Sequence, residues 1–249
     1  MADTPQAAFY ARGGSRAADW LTVLHPPYTA WHLAYVAIGA GLAPRIDWAV
    51  CWLSLAGFLL AVGIAAHALD EWNGRPLGTQ ISARALWTAA LLSLAGAVTL
   101  GILVLHHTGL ILIPFIAVGV VLVLAYNLEL FNGALHTDLG FALAWGAFPA
   151  AVGYVAQAPP WTVSGTLSLL LVALAATALS AAQRRLSTPA RALRRDIIEV
   201  NGTIEFLDER SQRLDRDVLL APLDGALKLL SLVVPAFAAA LLLARWAAH

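Results

Sequence analysis

The sequence predicts an all-α, polytopic transmembrane bundle of about seven helices, with a small β-hairpin in its last long loop. Three observations lead there. Sixty per cent of the 249 residues are hydrophobic and only 12% charged, whereas a soluble domain carries roughly 25% charged residues. Mean hydropathy is +0.74, so too few polar side chains exist to cover a water-facing surface. The apolar residues form continuous runs of helix-spanning length, not the alternating ten-residue segments of a membrane barrel.

Seven segments qualify or nearly so: Tyr28–Ala43, Trp48–Ala66, Ala85–Leu105, Gly109–Tyr126, Leu139–Ala156, Thr162–Ala182 and Leu223–Trp246. The first is short, and Trp20–His25 is expected to complete it at the interface before the break at Pro26-Pro27. Met1–Asp19 is polar and reads as a cytosolic tail, because no apolar stretch with a small-residue cleavage site follows early enough for a signal peptide. Residues 20–182 then form a six-helix bundle, 183–222 a cytosolic loop, and 223–249 the final span with a short external tail.

Loop charges set the expected orientation. Arg12 and Arg16, Arg75 and Arg84, and all arginines from Arg184 to Arg216 fall on one side of alternating spans, leaving Arg45 and Arg245 on the other. Positive charge stays cytoplasmic, which places the chain in an inner membrane with its N-terminus inside and C-terminus outside. A lipid-embedded, net-neutral chain is expected to have no nucleic-acid partner, and the oligomeric state stays open. Cys51 is the sole cysteine, which excludes an internal disulfide and a cysteine metal cluster. In the last loop, Asp196–Leu207 alternates apolar and polar residues around Asn201-Gly202, a pair that suits a tight turn and predicts a hairpin centred there, followed by a helix entering the last span near Pro222.

Candidate chemistry gathers on the cytoplasmic side. If the second helix continues to Asn73, then His67, Asp70 and Glu71 share a face at i, i+3 and i+4. One reading makes Asp70 and Glu71 ligands of Mg²⁺ against a phosphorylated ligand; the other makes them a helix terminus, with Glu71 paired to Arg75 and Asp70 solvated. His136 and Asp138 could meet His67 and Asp70 across the bundle as a transition-metal set, whereas His32 reads as a core residue. Arg184–Arg195 serves either as a positive-inside anchor or as a phosphate contact. Trp31, Trp52, Trp72, Trp87 and Trp145 are expected inside the bundle, and Trp20, Trp48, Trp161 and Trp246 at its interfaces.

Asp70, Asn73, Arg75-Pro76-Leu77 and Ser82 at the end of the second span, Tyr126 at the end of the fourth, and Leu139–Pro149 opening the fifth together resemble the UbiA prenyltransferase superfamily over roughly residues 20–185. The resemblance implies a helical bundle that binds an isoprenyl diphosphate with Mg²⁺ and transfers its prenyl chain. It implies metal binding and catalysis by Asp70 and Glu71, and substrate contacts from His67, Asn73, Arg75, Tyr126, Arg184 and Arg185. The sequence departs from the family where a second aspartate motif is expected: Ala181–Pro189 holds no carboxylate. The alternative is a non-catalytic lipid-binding or scaffold protein on the same fold.

Overall fold

The computed structural model describes residues 15–159 and 162–248; the tail up to residue 14, with Arg12, and the interfacial Trp161 lie outside the described residues. Eight helices and one hairpin follow in order: α1 (Arg16–Val23), α2 (Pro26–Leu42), α3 (Trp48–Trp72), α4 (Ala83–Thr108), α5 (Leu110–Asn127), α6 (Asp138–Gln157), α7 (Val163–Arg195), β1 (Gly202–Glu205), β2 (Ser211–Leu214) and α8 (Arg216–Ala247). Most starts carry a side-chain cap, since a short oxygen-bearing residue satisfies an amide that has no partner within the helix. Ser15, Asp47, Ser82, Thr137, Thr162 and Asp215 each accept a hydrogen bond from a first-turn N–H.

Six of these helices, α3 to α8, are long and apolar enough to cross a membrane, and the chain is a multi-pass helical membrane protein. Their outward positions are large and apolar: Leu92 is 69% exposed, Leu171 64% and Leu243 68%. Such a surface is stable only against lipid. The seventh expected span, α2, has 17 residues and covers about 26 Å at 1.5 Å per residue. It fills the middle of the bundle, packed against α6 and α8. Glycines permit the approach: a Cβ on Gly39 would meet the Ala150 carbonyl, and one on Gly153 the Val36 carbonyl. Small residues let two backbones close to van der Waals distance, which supplies packing energy where lipid removes the hydrophobic drive.

Three sequence expectations need correction. Residues Gln183–Arg195 are not loop but the end of α7. Leu186, Ala190 and Leu193 form an apolar stripe there and pack on Leu220, Leu223 and Leu227 of α8, so this stretch is amphipathic and a search for uniform hydrophobicity stops short of it. The helix expected to enter the last span near Pro222 is present, as the first turns of α8 from Arg216. The hairpin exists, but Gly202 opens its first strand, paired with Leu214. The connection is Phe206–Arg210, where Glu209 takes φ +63° and Asp208 accepts from the Arg210 backbone N–H at 3.3 Å. Trp52 and Trp72, expected inside, are 59% and 37% exposed.

Candidate functional site

The ends of α2, α3, α5, α6 and α7 that lie on the same side of the bundle surround a cavity of about 210 Å³ that opens to solvent. α3 is π-helical over Leu59–Ala66, immediately before His67. α6 has a second π-helical stretch at Leu143–Ala147, containing Trp145. A π turn admits an extra residue and shifts the faces on either side of it. Here His67, Asp70 and Trp145 all line the cavity.

Four histidines stand in its wall. His25 and His67 are stacked with ring centroids 4.6 Å apart, and His136 is stacked on Tyr126 at 4.6 Å. Burial, with His67 and the guanidiniums of Arg195 and Arg191 close by, holds His25 well below the usual imidazole range. His67 Nδ1 faces the Gly63 carbonyl at 3.2 Å and His32 Nδ1 the Trp145 carbonyl at 2.8 Å. A carbonyl only accepts, so both Nδ1 atoms donate, which in a neutral ring leaves Nε2 as an acceptor. The lone acid in the wall is Asp70, which forms no hydrogen bond or ion pair among the described residues; His136 and Arg191 lie within its electrostatic reach.

The cationic wall comes from α7. Arg184, Arg191, Arg194 and Arg195 line the cavity with Gln183 and Ser187. At about 100° per residue these positions share one face, and Arg185 falls off it, outside the lining. Two of the guanidiniums are already engaged. Arg184 Nε bonds Asp138 at 2.9 Å and lies 5.1 Å over the Phe141 ring, and Arg194 pairs with Asp224 in a largely buried bridge. Arg191 and Arg195 have no ion pair or hydrogen bond among the described residues. Two buried polar atoms on the wall also lack partners among the described residues, the Tyr126 hydroxyl and Gln183 Oε1, although Gln183 bonds the Tyr28 side chain.

Glu71, Asn73 and Arg75 do other work. Glu71 is fully buried and is not in the cavity wall. Its carboxylate accepts from Leu77 N–H, Thr79 N–H and the Thr79 hydroxyl, each at 2.8 Å. The expected pairing with Arg75 is replaced by these bonds. Arg75 sits at φ +54°, costly for a side chain with a Cβ, and its guanidinium reaches the Ile81 carbonyl at 2.6 Å and the Thr79 carbonyl at 3.4 Å. Asn73 donates to the Asn127 carbonyl at 3.1 Å. Together the three shape the loop after α3, whose Pro76 and Leu77 do reach the cavity.

A second, apolar cavity of about 110 Å³ runs among α3, α4, α5 and α6 toward the opposite end of the bundle. Gly57, Gly101 and Gly119 open its walls, and Val62 and Trp145 border both cavities.

Mg²⁺ is bound through one or two carboxylates together with phosphate oxygens. With Glu71 committed to backbone amides, the wall supplies Asp70 alone against four guanidiniums. Among the described residues no group of three His, Cys, Asp or Glu side chains is placed to hold a metal ion, and Asp138 is tied to Arg184. This donor set does not fit a two-carboxylate Mg²⁺ site or the His67–Asp70–His136 transition-metal set; it fits an anion. The structure thus defines a class, a multi-pass helical membrane protein with an arginine-lined cavity at one end. In comparisons with known proteins, no family model, curated protein or solved structure matches the chain.

Proposed function

We propose that the chain is a divergent UbiA-like intramembrane protein that takes an isoprenyl diphosphate, or a related phosphorylated lipid, and acts on it as a prenyltransferase. In this reading the arginine-bearing end faces the cytoplasm across the inner membrane, in keeping with its positive charge. The observation that carries the proposal is that Val62 and Trp145 line both chambers, a polar, cationic one on one side and an apolar one on the other. The headgroup occupies the first chamber and the prenyl chain the second.

Prenyl transfer breaks the bond between the terminal carbon and the diphosphate oxygen. Arginines stabilise the negative charge that grows on the leaving diphosphate. The Trp145 and Tyr126 rings, edge-to-face at 5.4 Å, offer π faces to a developing allylic cation. When an acceptor hydroxyl or ring carbon bonds that cation, the Asp70 carboxylate receives the proton it loses. The second reading, a lipid-binding or scaffold protein without turnover, is favoured by the single carboxylate in the wall.

Purified protein in phosphatidylcholine nanodiscs, offered a series of isoprenyl diphosphates, tests the proposal. Saturable binding that tightens with chain length is the expected outcome. Binding of the headgroup with no contribution from the chain would remove the isoprenoid from the proposal. With a competent acceptor, Asp70→Asn should abolish transfer while binding persists; binding without turnover on any acceptor would favour the scaffold reading.

A further inference from the structure

We infer that the cavity grips its phosphate through the arginine face of α7 and the Tyr126 hydroxyl, with no divalent cation between phosphate and protein. The inference rests on the headgroup placement proposed above, and it concerns which charges do the neutralising. Four observations converge. Arg184, Arg191, Arg194 and Arg195 present guanidiniums to one chamber from one helix face, and two of them have no anion among the described residues. Guanidinium groups offer paired N–H donors matched to phosphate oxygens. The Tyr126 hydroxyl is a buried donor without an acceptor in a residue only 5% exposed, and an orphan of this kind is costly unless a ligand completes it. The acids that would hold a bridging metal are elsewhere: Glu71 on the Leu77–Thr79 amides, Asp138 on Arg184 and Asp224 on Arg194.

Asp70 then has a sign that separates the two modes. If a metal bridged phosphate to protein, Asp70 would be its ligand and removing its charge would weaken binding. If arginines hold the phosphate directly, Asp70 is a like charge beside the anion and its removal strengthens binding.

The test is isothermal titration of the full-length protein in phosphatidylcholine nanodiscs with two probes, inorganic pyrophosphate and farnesyl diphosphate, each with EDTA and with Mg²⁺. The expected result is binding of both in EDTA and weakening of at least about tenfold, roughly 1.4 kcal/mol, in the Arg191→Gln/Arg195→Gln double variant. Arg191→Lys/Arg195→Lys should recover part of the loss, and Tyr126→Phe should weaken binding several-fold. Asp70→Asn should bind equally or more tightly. Thermal melts followed by tryptophan fluorescence establish that each variant is folded. A requirement for Mg²⁺, loss of binding in Asp70→Asn, or indifference to the arginine pair would each overturn the inference. Pyrophosphate binding in EDTA with no gain from the farnesyl chain would sustain this inference while the isoprenoid reading fell. Binding of neither probe would remove both.

Discussion

The two ends of the bundle use polar residues in opposite ways. At the end remote from the arginines the connections are short and their polar groups serve the fold. Asp47 caps α3 through the Ala49 and Val50 N–H groups and stands 3.5 Å from His107. Gln157 accepts from the Asp47 N–H at 2.6 Å, the Thr108 hydroxyl donates to the Ala156 carbonyl at 2.7 Å, and Arg245 reaches the Ala43 and Pro44 carbonyls. At the arginine-bearing end a carboxylate, two guanidiniums, a phenol and an amide oxygen face one cavity without partners among the described residues. Gln157 Nε2 is also buried without a partner among the described residues, so the two ends differ in number and charge: the arginine-bearing end gathers several such groups around one cavity.

That contrast is open to attack by substitution, the largest effect first. Asp224→Asn leaves Arg194 uncompensated in a bridge whose side chains are only 10% and 19% exposed. Breaking such a pair costs about 3 kcal/mol, measurable as a lower unfolding midpoint. The freed guanidinium lines the anion cavity, so pyrophosphate should bind more tightly even as stability falls. Glu71→Gln comes next. It turns one acceptor of a fully buried carboxylate into a donor facing backbone N–H groups, at a cost of about 2 kcal/mol. Limited proteolysis should then cut the loop between α3 and α4 sooner. An unchanged melt would show that the loop does not depend on this carboxylate.

How legible these roles were in the sequence depends on which physical signal carried them. The long spans were legible because an uncharged apolar run of about 18 residues or more is suited to a lipid bilayer and to little else. The reach of α7 beyond its bilayer-length segment was not, because Gln183–Arg195 is amphipathic and its apolar stripe is recognisable only with α8 beside it. Once that stretch is helical, the spacing of Arg184, Ser187, Arg191 and Arg194 puts them on one face, a period present in the sequence but hidden by reading a loop. The hairpin was anticipated from its alternation, yet its turn was misplaced because Asn201-Gly202 is a local preference that strand pairing overrode. Asp70 and Glu71 are adjacent in sequence, so no pattern at this position distinguishes the one facing the cavity from the one facing the loop. That depended on Leu77 and Thr79 returning to meet Glu71, a contact made by the fold.

The remaining two substitutions have small costs and sharpen the comparison. Asp47→Ala removes a cap from α3 and should cost about 1 kcal/mol while pyrophosphate affinity stays unchanged, since the residue belongs to the structural end. Asp138→Asn acts on the other end, where Asp138 is 75% exposed beside an Arg184 that is only 14% exposed. Water screens that pair, so its loss should move stability by no more than about 0.5 kcal/mol. It nonetheless frees a guanidinium that already lines the cavity, and pyrophosphate affinity should rise severalfold in titration. A stability change with no change in affinity would place Arg184 among the groups that hold the bundle, and would shrink the ligand-facing set to Arg191, Arg194 and Arg195.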